Sequence, residues 1–175
     1  DVESILYIAN MASIPLHLYH SRTANLERPD WCVLDLDPKD APFSDVLTVA
    51  IAIHALCDEI EMPNYVKTSG STGLHILLPL ANQFTFDQSR ILGELLARVI
   101  VARLPEICTV TRNPAKREGK VYIDYLQNGS GKLIAGTYCV RPKPGAPISM
   151  PVKWSEVTKK LKPDSFTIKN GIRRL

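Results

Sequence analysis

No run of about 18 apolar residues occurs in the chain, so the sequence offers no membrane-crossing helix. The N-terminus lacks the basic-then-apolar pattern of a secretory signal. Cys32, Cys57, Cys108 and Cys139 stand far apart, with no Cys-x-x-Cys pair. That spacing argues against a zinc site or a disulfide framework and points to reduced thiols in a cytoplasmic protein. There is no internal repeat and no low-complexity tract. Neither sign of charge dominates: 21 Lys and Arg face 18 Asp and Glu, a net charge of +3. A mild excess of this kind permits a nucleic-acid partner without arguing for one. A Gly-Lys-Ser/Thr ending is also missing, which excludes a Walker phosphate loop.

What is present fits one domain. The 175 residues are 45% hydrophobic and 22% charged, the balance of an ordinary globular core. Val2, Ile5, Leu6 and Ala9 recur at helical spacing, and Pro15 stops that helix. Trp31–Asp37 reads as a buried strand closed by Pro38. Residues 43–61 carry a helical stripe from Val46 to Ile60, with Ser44 as N-cap and Pro63 beyond the end. Two strands, 65–68 and 74–78, flank the turn Ser69-Gly-Ser-Thr-Gly73. A second long helix covers 86–104. Further strands are expected at 120–126 and 134–140, and a short helix at 154–161. Trp31, Trp154 and most tyrosines read as core. The mixed order of elements favours α+β over a doubly wound sheet.

Asp35 and Asp37 are two positions apart on the predicted strand, so both carboxylates lie on one face. Ionised side by side among apolar neighbours, they repel and lose hydration. A divalent cation relieves both penalties, and hard oxygen ligands suit it. Removing Asp37 is accordingly expected to relieve repulsion and to leave the fold intact. Asp124 is a third acid in an apolar strand, with Tyr122 and Leu126 on its face. Three such acids on adjacent strands are what two-metal phosphoryl transfer requires; a salt bridge from Asp124 to Arg117 or Lys120 is the alternative. In the turn, Gly70 and Gly73 let backbone N–H groups approach an anion. Ser69, Ser71 and Thr72 add hydroxyls, and His75 opens the returning strand. Arg112, Lys116, Arg117 and Lys120 lead into the Asp124 strand, and Arg141 follows the next one. Such charge suits a nucleotide's phosphates.

The order DLDP, SGSTGLH, a basic stretch with VYIDYLQN, then YCVRP resembles the polymerase domain of ligase D, in the archaeo-eukaryotic primase superfamily. The likeness runs from about Ser4 to Leu175. It implies a primase-type core: an α+β fold with a mixed, largely antiparallel sheet flanked by helices. It implies that Asp35, Asp37 and Asp124 bind two Mn²⁺ or Mg²⁺ ions. Ser69, Gly73 and His75 become triphosphate contacts, and Arg117 and Arg141 become cationic contacts to nucleotide or template. Gln127 is similar to a family position near the nucleotide. His17 matches the His of an H-x-W element, with Tyr19 in place of the Trp. Thr72 stands where the family often has Lys, so that cationic contact is either lost or moved to Lys67. The implied reaction is metal-dependent addition of an NTP or dNTP to DNA ends or gaps in double-strand-break repair. The implied partners are gapped or 3′-overhang DNA, Ku and a DNA ligase module.

The resemblance also implies an upstream family segment that residues 1–175 do not contain, and hence an exposed apolar patch beside the site. Two other classes stay open on the residues alone. One is a haloacid-type phosphatase with Asp35 as nucleophile, although Lys39 stands where that fold wants Thr or Val. The other is a non-catalytic DNA-end-binding module, although clustered carboxylates repel phosphate unless metal is present.

Overall fold

The computed structural model describes residues 1–174. Its elements run α1 (Val2–Asn10), β1 (His17–Tyr19), β2 (Trp31–Asp37), α2 (Phe43–Glu59), β3 (Tyr65–Thr68), β4 (Leu74–Pro79), α3 (Phe86–Arg103), β5 (Cys108–Thr109), β6 (Val121–Asp124), β7 (Leu133–Ala135) and β8 (Pro151–Val152). Six strands form one sheet in the order β5-β6-β2-β4-β3-β8, and β1 pairs with β7 in a separate ribbon. Every pairing in the large sheet is antiparallel except β5 with β6. The α+β expectation therefore holds.

Strand parity divides the sheet into two faces. Cys32, Leu34 and Leu36 of β2, Leu74, Ile76 and Leu78 of β4, and Val121 and Ile123 of β6 join one apolar cluster. α2 adds Val46, Val49, Ala50, Ile53 and Cys57, and α3 adds Leu96, Ala97 and Ile100. The α2 residues belong to the stripe that the helical spacing picked out, although Ile60 at its end is exposed. All four cysteines are free and buried. The opposite face carries the polar residues and is partly roofed by the β1–β7 ribbon.

Several local expectations differ from the structure. Pro42, not Ser44, occupies the N-cap of α2, with no side-chain bond to the helix end. Pro42 already holds extended backbone at φ −67°, so the helix starts two residues earlier than a Ser44 cap would place it. β7 covers only Leu133–Ala135, short of the expected 134–140. Its distal part keeps only an isolated bridge between Val140 and Ile148. Residues 154–161 form a single 3-10 turn, Trp154–Glu156, rather than a helix. β6 ends at Asp124, so Leu126 leaves the strand face for a 3-10 turn, Leu126–Asn128. Tyr122 is buried, but Tyr7, Tyr65 and Tyr138 are exposed. α1 buries none of its residues, and Val2, Ile5, Leu6 and Tyr7 face solvent.

Asn128 holds that turn against the sheet. Its Nδ2 donates to the Val33 carbonyl at 2.7 Å and the Tyr125 carbonyl at 2.9 Å, and its Oδ1 accepts from Val33 N–H at 2.6 Å. The side chain is fully buried, so no water can replace these bonds. Asn128→Ala strands two buried backbone groups of Val33 and should cost on the order of 3 kcal/mol. Urea denaturation reads this directly, as a lower midpoint at unchanged slope.

Candidate functional site

One row of side chains crosses the polar face of the sheet. Lys67 on β3 lies opposite His75 on β4, His75 opposite Asp35 on β2, and Asp35 opposite Asp124 on β6. Asp37 follows Asp35 on the same face, opposite Tyr122. The three acids thus share a face, as their spacing in β2 and β6 predicts.

Their carboxylates have different partners. Asp37 Oδ2 accepts from Arg117 Nη1 at 2.8 Å. Asp124 accepts from the Tyr122 hydroxyl at 3.2 Å, the Leu126 N–H at 2.9 Å and Gln127 Nε2 at 3.1 Å. No ion pair joins Asp124 to Arg117 or Lys120, so that alternative fails among the described residues. Asp35 has only a 3.5 Å approach from His75 Nε2. Burial, then the charges of Asp124 and Asp37, push the Asp35 carboxyl up to about 7, against the pull of Lys67 and Arg141. As oriented, no three His, Cys, Asp or Glu side chains among the described residues stand close enough together to hold an ion. The donor chemistry nevertheless fits a divalent cation: all three acids offer oxygen, and Asp35 lacks a countercharge.

Arg117 is nearly enclosed. Its side chain is 8% exposed, its Nε and Nη2 donate to the Thr111 and Arg112 carbonyls, and its guanidinium lies 4.1 Å from the centre of the Tyr122 ring. Removing Asp37 would leave this cation buried without its carboxylate. The expected gain from relieved repulsion therefore belongs to Asp35 and not to Asp37.

The turn 69–73 is closed by its own bonds. Ser69 N–H donates to the Gly73 carbonyl, and Ser69 Oγ accepts from Ser71 and Gly73 N–H at 3.0 and 3.1 Å. Those two N–H groups are thereby occupied, and the Ser69 hydroxyl proton remains to donate outward. Arg141 Nη1 donates to the Ser69 carbonyl at 2.9 Å, while Arg141 Nε is buried with no partner. Gly70, at φ +68°, packs directly on this arginine. Asp35, Asp37, Ser69, Thr72, His75 and Arg141 line one small cleft of about 180 Å³, with Ser71 and Gly73 beside them. An arginine and three hydroxyls lining a cleft with two acids fit an anion bridged to the carboxylates by metal.

The remaining predicted residues lie elsewhere. Lys67 is only 3% exposed and does not reach that cleft. Its Nζ bonds His75 Nδ1 at 2.8 Å, the Ala135 carbonyl at 2.8 Å and Ser149 Oγ at 2.6 Å. With all three ammonium donors engaged, Lys67 does not replace the missing family lysine at Thr72. Burial lowers Lys67 to about 7 and holds His75 well below its ordinary value, the latter helped by the Lys67 and Arg141 charges. A neutral His75 that accepts at Nδ1 carries its proton on Nε2, directed at Asp35. Sequence reasoning gave Lys67 a ligand; the structure gives it the orientation of His75. His17 is exposed on β1, opposite Ala135. Gln127 lines a different cleft, on the β6 side of the acid row.

The family described as LigD, primase-polymerase domain matches residues 1–175. The chain belongs to the LigD primase-polymerase family. Among curated relatives, the multifunctional non-homologous end joining protein LigD of Pseudomonas aeruginosa is 35% identical over 153 residues, covering 87% of this chain and 18% of that protein. The bifunctional non-homologous end joining protein LigD of Bacillus subtilis is 31% identical over 177 residues, covering all of this chain and 29% of that protein. The chain therefore spans less than a third of the length of these LigD proteins. The polymerase domain of Mycobacterium tuberculosis ligase D, solved in complex with DNA, superposes with a TM-score of 0.84 at 24% identity, covering 96% of this chain and 61% of that one. That match shows the LigD polymerase fold.

Proposed function

We propose that this chain is the catalytic core of a metal-dependent nucleotidyltransferase that adds nucleotides at DNA ends or gaps during double-strand-break repair. The observation that carries the proposal is the cleft in which Asp35 and Asp37 face Ser69, Thr72, His75 and Arg141. The names of the relatives support the repair setting, and the DNA in the neighbouring structure supports the substrate. Ku and a ligase module are the partners that this setting implies.

The residues divide the work. Asp35, Asp37 and Asp124 would hold two Mn²⁺ or Mg²⁺ ions. Bound there, the ions supply positive charge that favours ionisation of a 3′-hydroxyl and steadies the departing pyrophosphate. Arg141 and the hydroxyls of Ser69, Ser71 and Thr72 grip the triphosphate. His75, held by Lys67, presents its Nε2 proton beside Asp35. Arg117 holds Oδ2 of Asp37, which leaves Oδ1 for a cation.

Primer extension on a short gapped duplex with Mn²⁺ and each nucleotide type tests the reading; failure with all of them refutes it. Within it, His75→Ala should raise the KM for nucleotide about tenfold or more, while DNA-end binding stays within about twofold. Equal losses in both assays would mean a folding defect rather than a lost nucleotide contact.

A further inference from the structure

The β1–β7 ribbon is held at its two ends. Three-residue strands that pair only with each other are marginal by themselves, so the seat of the ribbon depends on what fastens it. At one end Tyr19, paired with Leu133, lays its ring against Phe86 of α3 with centroids 5.3 Å apart. At the other end His17 pairs with Ala135, and the Ala135 carbonyl accepts from Lys67 Nζ at 2.8 Å. Among the described residues, this is the one hydrogen bond that joins a ribbon strand to a strand of the large sheet. Between the two ends the layers stand apart. A hollow of about 370 Å³ lies there, with Leu18 and Ile134 on the ribbon side and Trp31, Val33 and Leu77 on the sheet side.

A buried ammonium loses its hydration and is tolerated only where its donors are met. The donors of Lys67 go to three separate stretches of chain: His75 on β4, Ala135 on β7, and Ser149 just before β8. Ser149 is itself fully buried. Its hydroxyl donates onward to the Thr68 carbonyl at 2.8 Å, which leaves its oxygen to accept from the ammonium. An apolar side chain would fill this space without the loss of hydration, but it would not fix three segments relative to one another. The ribbon also stands close to the acid row, because the charge of His17 acts on His75.

We infer that Lys67 is a positioning residue for the ribbon. Its bond to the Ala135 carbonyl sets how high β1 and β7 stand over the sheet, and with that the place of His17 relative to His75. The hollow gives the ribbon room to settle once the bond is gone. One ammonium therefore aligns two histidines, His75 by a direct bond and His17 through its strand partner. The seat of the ribbon follows from these contacts alone; its consequence for nucleotide addition rests on the polymerase reading.

Lys67→Met keeps the length of the side chain and removes its donors. Hydrogen exchange in the whole chain, followed residue by residue, reads the ribbon apart from the sheet. The N–H groups of β1 and β7 should exchange about tenfold faster or more in the variant, while those of the β2–β4 ladder change much less. In ¹⁵N-histidine spectra, wild-type His75 should show the single Nε2–H tautomer and the variant a mixture of both. Lys67→Arg, whose extra atoms have the hollow to enter, should restore slow exchange in the ribbon. Ribbon exchange at the wild-type rate in folded Lys67→Met would overturn the assignment. So would equal acceleration in the ribbon and the ladder, since Lys67 would then only stabilise the fold. If Lys67→Met does not fold, Lys67→Gln, with one amide in place of three ammonium donors, is read in the same way. In primer extension Lys67→Met should raise the KM for nucleotide about tenfold. A wild-type chain that extends no primer refutes the polymerase reading, and the exchange rates still decide the role of Lys67.

Discussion

Asp35→Asn should reduce nucleotide addition by at least ~10³-fold while leaving the metal-free protein as stable as wild type or more so. The two halves have one cause. Asp35 is the acid with both other carboxylates as unfavourable neighbours, and its carboxyl is pushed up to about 7 by burial and by Asp124 and Asp37. An acid whose folded value lies above its ordinary 3.8 binds its proton more tightly folded than unfolded. Its contribution to metal-free stability is therefore lost as pH rises from about 4 to about 7. Asn cannot ionise, so the variant should lack that fall. In a chain of this size a gain of about 1 kcal/mol raises Tm by roughly 2–4 °C. Thermal melts across pH, with and without Mn²⁺, check both halves. Wild type should gain stability with Mn²⁺ at pH 7.5, and the variant should gain less. A variant that extends primers at near wild-type rate removes Asp35 from the mechanism.

Asp37 behaves differently, and the contrast shows where sequence reasoning stops. Parity along β2 places Asp35 and Asp37 on one face, and parity along β6 adds Asp124, because side-chain direction in a strand is a local property. The turn at 69–73 was legible for the same reason: glycine and hydroxyl residues between two apolar runs constrain the backbone locally. What was not legible is who meets whom across the sheet. Arg117 reads as part of a basic loop, yet it folds back 80 positions to Asp37. Lys67 reads as a cation near phosphate, but strand pairing buries it behind His75, where Ala135 and Ser149 take its donors. Ser69 reads as a donor to ligand, but its oxygen first accepts from its own turn. Asn128 gave no sequence signal, since its bonds run to a strand 95 positions away. The helical stripe of α2 was readable as far as Cys57, because burial imposes a period on it.

Gly73→Ala should damage both the anion cleft and the acid row, although Gly73 carries no chemistry of its own. A Cβ built there would fall 1.8 Å from the Leu36 carbonyl oxygen, 3.0 Å from its carbon and 3.3 Å from Pro38 Cδ. The obstacle is backbone on the central strand, so no side-chain rotation relieves it. β4 must move away from β2 between Asp35 and Asp37, where Leu36 pairs with Leu74. The same shift opens the turn, because Gly73 N–H and carbonyl both bond Ser69. Overpacking of this kind costs on the order of 3 kcal/mol. The loss of activity should exceed what that instability explains: a displacement of about 1 Å at a reacting centre costs ~10²-fold. Extension measured well below the variant's own melting temperature separates the two effects. A fully folded Gly73→Ala protein, by near-UV circular dichroism, should therefore still extend primers at least ~10²-fold more slowly. Wild-type extension by such a folded variant would mean that the spacing between β4 and β2 does not set the geometry of the acids.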